Sequence, residues 1–146
     1  MMKDVMWTLD QSLGYLMVRT ARGMKRALES KLEEHNLTAT QYILLARLWE
    51  QDGISLSELG ERLFLDNPTL TGIVDRMERD GLVERKRNDG DRRVVRVYLT
   101  PKGESLKETI GTLAAEVDDE ANDHFTETQR QDLLNSLNII WNKFND

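Results

Sequence analysis

The chain has 146 residues, 39% hydrophobic and 32% charged, with a formal net charge of −6 and no cysteine. This composition describes one ordinary domain of a soluble protein, long enough to bury a core and rich in solvated helix faces. The lack of cysteine excludes disulfides, thiol redox sensing, cysteine nucleophiles and cysteine-ligated zinc. No segment approaches the roughly 18 apolar residues of a membrane span, and the start has no apolar block with a cleavage site, so a cytoplasmic protein with no membrane partner is expected.

Charge is unevenly placed. Residues 76–102 hold nine Lys/Arg against five Asp/Glu, net +4, whereas residues 1–75 are net −3 and residues 103–146 net −7. A basic stretch in an acidic protein is the electrostatic footprint of contact with nucleic acid on one face, although solvated surface has the same composition.

In chain order, about residues 4–35 place Leu9, Leu13, Leu16, Met17, Thr20, Met24, Ala27, Leu28 and Leu32 near one stripe of a long helix. "TATQ" (Thr38–Gln41) and "SLSE" (Ser55–Glu58) fit capping boxes, in which a hydroxyl accepts from a free amide and a Glu/Gln reaches back. They predict helices over about 40–51 and 56–63. Asn67 before Pro68 places a capping side chain ahead of a proline, and predicts a helix over 68–80 that stops at Gly81.

"LVERKR" and "RVVRVYL" then read as two strands, with Val95, Val97 and Leu99 on one face and Arg96 and Tyr98 on the other. Between them "NDGD", Asn88–Asp91, has hairpin-turn chemistry. Thr100–Pro101 and "TETQ" (Thr126–Gln129) start further helices, the last over about 127–144.

Helix, helix, helix, hairpin is a winged helix. The predicted fold is mainly α with a small β-hairpin wing: one domain over 1–146, its winged helix-turn-helix at about 38–100 flanked by helices over about 4–35 and 101–146. In so small a domain the end helices have little to pack against, and a second copy of the chain would cover them. Leu9, Leu13, Leu133, Leu137, Ile140, Trp141 and Phe144 are the expected homodimer interface.

A helix-turn-helix sends its second helix into the major groove. With Asn67 as cap, Leu70, Ile73, Val74 and Met77 form a buried stripe, leaving Pro68, Thr69, Thr71, Gly72, Asp75, Arg76 and Arg79 outward or flanking. Threonines can bond bases or phosphates, Gly72 permits close approach, and Arg76 can pair with guanine or hold a phosphate. The helix N-terminus adds free amides for a phosphate. At the hairpin, Arg93 is placed to enter a minor groove and Arg92 to hold the flanking backbone. Asp91 would repel phosphate if it pointed outward, so it is expected to orient Arg93 or Arg76. A helix with small polar residues facing water, and a turn-forming aspartate, are the plainer readings of the same residues.

Residues 68–103, "PTLTGIVDRMERDGLVERKRNDGDRRVVRVYLTPKG", resemble the recognition helix and wing of the MarR family of bacterial transcription regulators. The family's wing pattern, Asp-x-Arg followed by a Val-x-Leu-Thr strand end, stands here as Asp91, Arg93, Val97, Leu99 and Thr100. "LTATQYILLARL" (Leu37–Leu48) and "LSELGERL" (Leu56–Leu63) match the two preceding helices. The resemblance implies an obligate homodimer with interlocked end helices that binds pseudo-palindromic double-stranded operator DNA, usually as a repressor released by a small molecule. The net −7 C-terminal part would then lie away from DNA.

The family commonly senses aromatic acids between the dimerisation helices and the winged helix. By resemblance the lining would be Met17, Arg19, Arg22, Tyr42, Leu45 and Trp49, with an arginine pairing the carboxylate; ordinary packing explains the same side chains. His35 and His124 alone make a histidine-rich metal site improbable, and no cofactor is expected. No Gly-rich phosphate loop or histidine–carboxylate cluster suggests an enzyme. The remaining alternative is a winged helix that binds a protein partner instead of DNA.

Overall fold

The computed structural model of the chain describes residues 8–145. Residues 4–7 of the expected first helix lie outside the described residues. The described residues form two compact units, divided after Leu113.

The first helix is shorter than its stripe suggests. Leu9–Gln11 form a 3₁₀ turn, Ser12 is extended and its hydroxyl accepts from the Tyr15 N–H at 3.3 Å, and α1 runs over Leu13–Leu32. It ends in a second 3₁₀ turn, Glu33–His35, closed by Asn36 at φ 56°. Leu9 therefore precedes the helix. α2 (Ala39–Glu50) starts at a complete capping box: Thr38 Oγ1 accepts from the Gln41 N–H, and Gln41 Oε1 from the Thr38 N–H, both at 3.1 Å.

β1 (Ile54–Ser55) was not anticipated. It leads into α3 (Leu56–Leu63), where Ser55 Oγ accepts from the Glu58 N–H. α4 spans Asn67–Arg79, and its cap is Asp66, not Asn67: Asp66 Oδ1 accepts from the Thr69 N–H at 2.7 Å. Both residues have capping side chains, and a proline fits at either of the first two helical positions, so local chemistry alone does not separate them.

β2 (Val83–Arg87) and β3 (Val95–Leu99) pair antiparallel, and β1 adds to the other edge of β3, giving the order β1-β3-β2. The connection is longer than the sequence suggests. The Asn88 N–H donates to the Val94 carbonyl and the Val94 N–H to the Asp91 carbonyl, so the corner falls on Arg92 and Arg93, not within Asn88–Asp91.

Inward residues close the core of the first unit. Leu44, Leu45 and Leu48 of α2, Ile54, Leu59, Leu70, Val74, Met77, Val83, Val97 and Ile110 are all essentially inaccessible. Burying each of the larger side chains is worth about 1.5–3 kcal/mol. α5 (Pro101–Ser105) is capped by Thr100, and α6 spans Lys107–Asn122. In the second unit α7 (Glu127–Asn145) starts at the reciprocal Thr126–Gln129 bonds of 2.9 and 3.1 Å.

Candidate nucleic-acid interface

The outward face of α4 follows from its buried one. Leu70, Ile73, Val74 and Met77 lie in the core, and 100° per residue turns Pro68, Thr69, Thr71, Asp75, Arg76 and Arg79 to solvent, with Gly72 half-buried. The helix start is less open to an anion than free amides would be, because Asp66 already takes the Thr69 N–H. That bond holds the Asp66 carboxyl below the usual carboxylate range.

Arg76 has no ion-pair partner among the described residues, and its guanidinium folds back over Gly72: a Cβ there would lie 3.9 Å from Arg76 Nη1. Arg79 reaches the neighbouring Asp80 at 3.5 Å. Asp75 does not stand free on this face. Its Oδ1 lies 2.6 Å from Arg85 Nη2, and Glu78 Oε1 lies 3.0 Å from the same nitrogen. Glu78 Oε2 also accepts from the Arg85 backbone N–H at 2.9 Å. The Arg85 guanidinium holds the Glu78 carboxyl below its ordinary value, and Glu78, more than Asp75, raises Arg85.

Sequence reasoning missed Arg85, although the alternation of β2 contains it. Arg85 stands opposite Val97, which stands opposite Ile54, so all three share the inner face of the sheet. A charged residue on that face, beside α4, needs an acidic partner. Lys86 takes the opposite face, pairs with Glu84, and places its ammonium 5.4 Å from the centre of the Tyr98 ring.

At the corner of the wing, Asp91 is bonded to Arg93 and not to Arg76. Arg93 Nε donates to Oδ1 and Nη2 to Oδ2, both at 3.1 Å, and the Arg93 backbone N–H reaches Oδ1 as well. This fork keeps the Asp91 carboxyl below its ordinary range and raises Arg93. The Arg93 side chain is nevertheless 91% exposed. Across the hairpin Arg87 Nη1 donates to the Arg92 carbonyl at 2.8 Å, which ties the corner to the strand.

Four of the residues expected to line a ligand site pack or pair within the fold. Leu45 is wholly buried in the core, so it offers no surface. Arg19 pairs with Asp10 at 3.8 Å and covers the Tyr15 ring at 5.5 Å. Tyr42 and Trp49 pack against the core with ring centres 6.3 Å apart, and the Trp49 indole N–H donates to the Gly103 carbonyl. Met17 is half-buried and Arg22 exposed. Two open clefts of about 500 and 480 Å³ lie elsewhere, one along Arg26, Glu29, Glu33 and Thr38, the other along His35, Asp80, Leu82 and Lys102. Neither includes any of the six.

Leu9, Leu13, Leu133, Leu137, Trp141 and Phe144 are exposed, and Ile140 is partly so. No group of three or more metal-ligating side chains occurs among the described residues, and no helix among them is long and apolar enough to cross a membrane.

A MarR family model matches residues 37–95. The regulator TtmR of Methylorubrum extorquens (strain PA1) is 43% identical over 105 residues, which cover 72% of this chain and 54% of TtmR. The organic hydroperoxide resistance transcriptional regulator of Bacillus subtilis (strain 168) is 39% identical over 68% of each chain. A cysteine-to-serine variant of MarR from E. coli, solved with operator DNA, superposes with a TM-score of 0.82 at 29% identity over 88% of this chain and 92% of that one. The winged helix, its three-stranded sheet and these relatives together show that the chain belongs to the MarR family, whose members are DNA-binding transcription regulators and not enzymes.

Proposed function

We propose that this chain is a homodimeric, sequence-specific regulator that binds a pseudo-palindromic operator, represses transcription there, and is released by a small molecule. The observation that carries the reading is the Asp91–Arg93 fork: an exposed guanidinium at a hairpin corner, pre-oriented by a two-point bond. A cation held in this way loses little freedom on entering a narrow, electronegative groove. Thr69, Thr71 and Arg76 offer base and phosphate contacts on α4, with Pro68, Gly72 and Arg79 beside them and Arg92 on the flanking backbone. Binding of operator DNA by MarR from E. coli supports the same role.

Dimerisation is supported by the apolar row Leu133, Leu137, Ile140, Trp141 and Phe144 on α7, and by Leu9 and Leu13. A two-fold dimer presents two recognition helices, which meet successive major grooves when they are about 34 Å apart. An effector weakens operator binding tenfold if it prefers the dimer with misplaced helices by about 1.4 kcal/mol. With no cysteine among the 146 residues, that signal is not a thiol in this chain.

The test is fluorescence anisotropy with duplex DNA from upstream of the chain's own gene, at several salt concentrations, beside a shuffled duplex. Tight, salt-steep and sequence-selective binding is expected. Equal weak binding to both duplexes overturns the reading in favour of a protein-interaction module. Sedimentation of native protein and Leu137→Glu tests the dimer. A thermal-shift series with benzoate and salicylate tests for an aromatic-acid effector.

A further inference from the structure

We propose that Arg85 is a positioning residue for DNA recognition: it masks the two carboxylates on α4 so that this helix can approach phosphates. The inference rests on the proposed operator binding. Asp75 lies one turn beyond Thr71 on the outward face of α4, and Glu78 follows within the next turn. Unmasked, both would present negative charge beside the residues offered to DNA and offset Arg76 and Arg79.

Geometry makes Arg85 suited to the task. It comes from β2, on the inner face shared with Val97 and Ile54, and its side chain reaches α4 from the sheet. One nitrogen, Nη2, serves both acids, at 2.6 Å to Asp75 and 3.0 Å to Glu78, and the backbone N–H takes the remaining Glu78 oxygen. Only 27% of the Arg85 side chain is exposed, against 55% for Asp75. The cation is thus spent on the helix and is not itself offered to DNA. Arg76, without a partner among the described residues, remains the cation on α4 available to a phosphate or guanine.

The experiment measures operator affinity and its salt dependence for the full chain carrying Arg85→Met, Asp75→Asn/Glu78→Gln, or all three changes, with melting curves for each. Masking predicts that Arg85→Met binds at least about tenfold more weakly, and that the triple variant returns to within about threefold of the native chain. The Asp75→Asn/Glu78→Gln protein, which keeps Arg85, should bind at least as tightly as the native chain; this arm decides the question even if Arg85→Met fails to fold. Loss of affinity in the Asp75→Asn/Glu78→Gln protein overturns masking, as does a triple variant that stays weak. A native chain that binds no duplex selectively overturns the operator reading itself, and the masking role falls with it.

Discussion

Trp49 and Gly103 are 54 residues apart in the chain, yet the indole N–H of the first donates to the carbonyl of the second at 3.0 Å. The bond ties α2 to α5 at a point where the backbone runs very close to the end of the winged helix. A Cβ at Gly103 would run into the Leu82 carbonyl, which already accepts from the Thr100 N–H. Helix propensity alone would make Gly103→Ala stabilising by about 1 kcal/mol. The backbone clash reverses that sign. Gly103→Ala is expected to destabilise by about 1–3 kcal/mol, read as a lower urea midpoint and a shifted Trp49 emission.

The wing makes a prediction about binding. Arg93→Ala should weaken operator binding several-fold and lower the salt slope by about one, because one cation leaves the interface. Asp91→Asn keeps the guanidinium but loses the charged fork, so its loss should be smaller and its slope unchanged. Anisotropy titrations at three or more salt concentrations separate the two effects. Equal losses with equal slopes would mean that Asp91 has a role of its own at the DNA.

Acidification should loosen α4 from the wing. The Arg85 bonds lower the Glu78 carboxyl in the folded chain, so folding releases protons from it. A depressed carboxyl contributes stability that is complete above its unfolded value and is lost as pH falls through its folded one. Glu78→Gln should therefore cost stability at neutral pH, and the difference from the native chain should shrink between about pH 5 and pH 3. Urea midpoints across that range measure it; a difference that does not change with pH refutes the linkage.

Leu45 separates packing from ligand binding. Being wholly buried, it should cost about 2–5 kcal/mol as Leu45→Ala through lost transfer energy and a cavity. Arg22→Ala, at an exposed position, should leave the melting temperature within a degree or so and report only on an effector. Parallel melting curves with and without salicylate provide the comparison.

Helix starts were legible because capping is local chemistry. Thr38, Ser55, Thr100 and Thr126 each cap where their motif predicts, and the strand alternation around Val97 placed the wing. What escaped depends on partners distant in the chain. A strand of two residues such as Ile54–Ser55 has no period of its own and exists because β3 offers an edge. The choice of Asp66 over Asn67 and the corner at Arg92–Arg93 turn on how the neighbouring elements enter and leave. Arg85 looked like one more cation of a basic run until the register placed it beside Val97. Leu45 lies on a helix with apolar residues on several sides, so spacing could not tell core from cleft.

The three-stranded sheet has two edges, and both are closed to further strands. On one side β1 is two residues long, and the side chain of Asp52 rather than a strand takes the Leu99 N–H beyond it. On the other, β2 carries Glu84, Arg85, Lys86 and Arg87 in succession, and the Arg85 amide that a newcomer would need is bonded to Glu78. A molecule that must present a long hairpin to its surroundings is thereby protected from edge-to-edge association with its own kind, the usual hazard of an exposed strand.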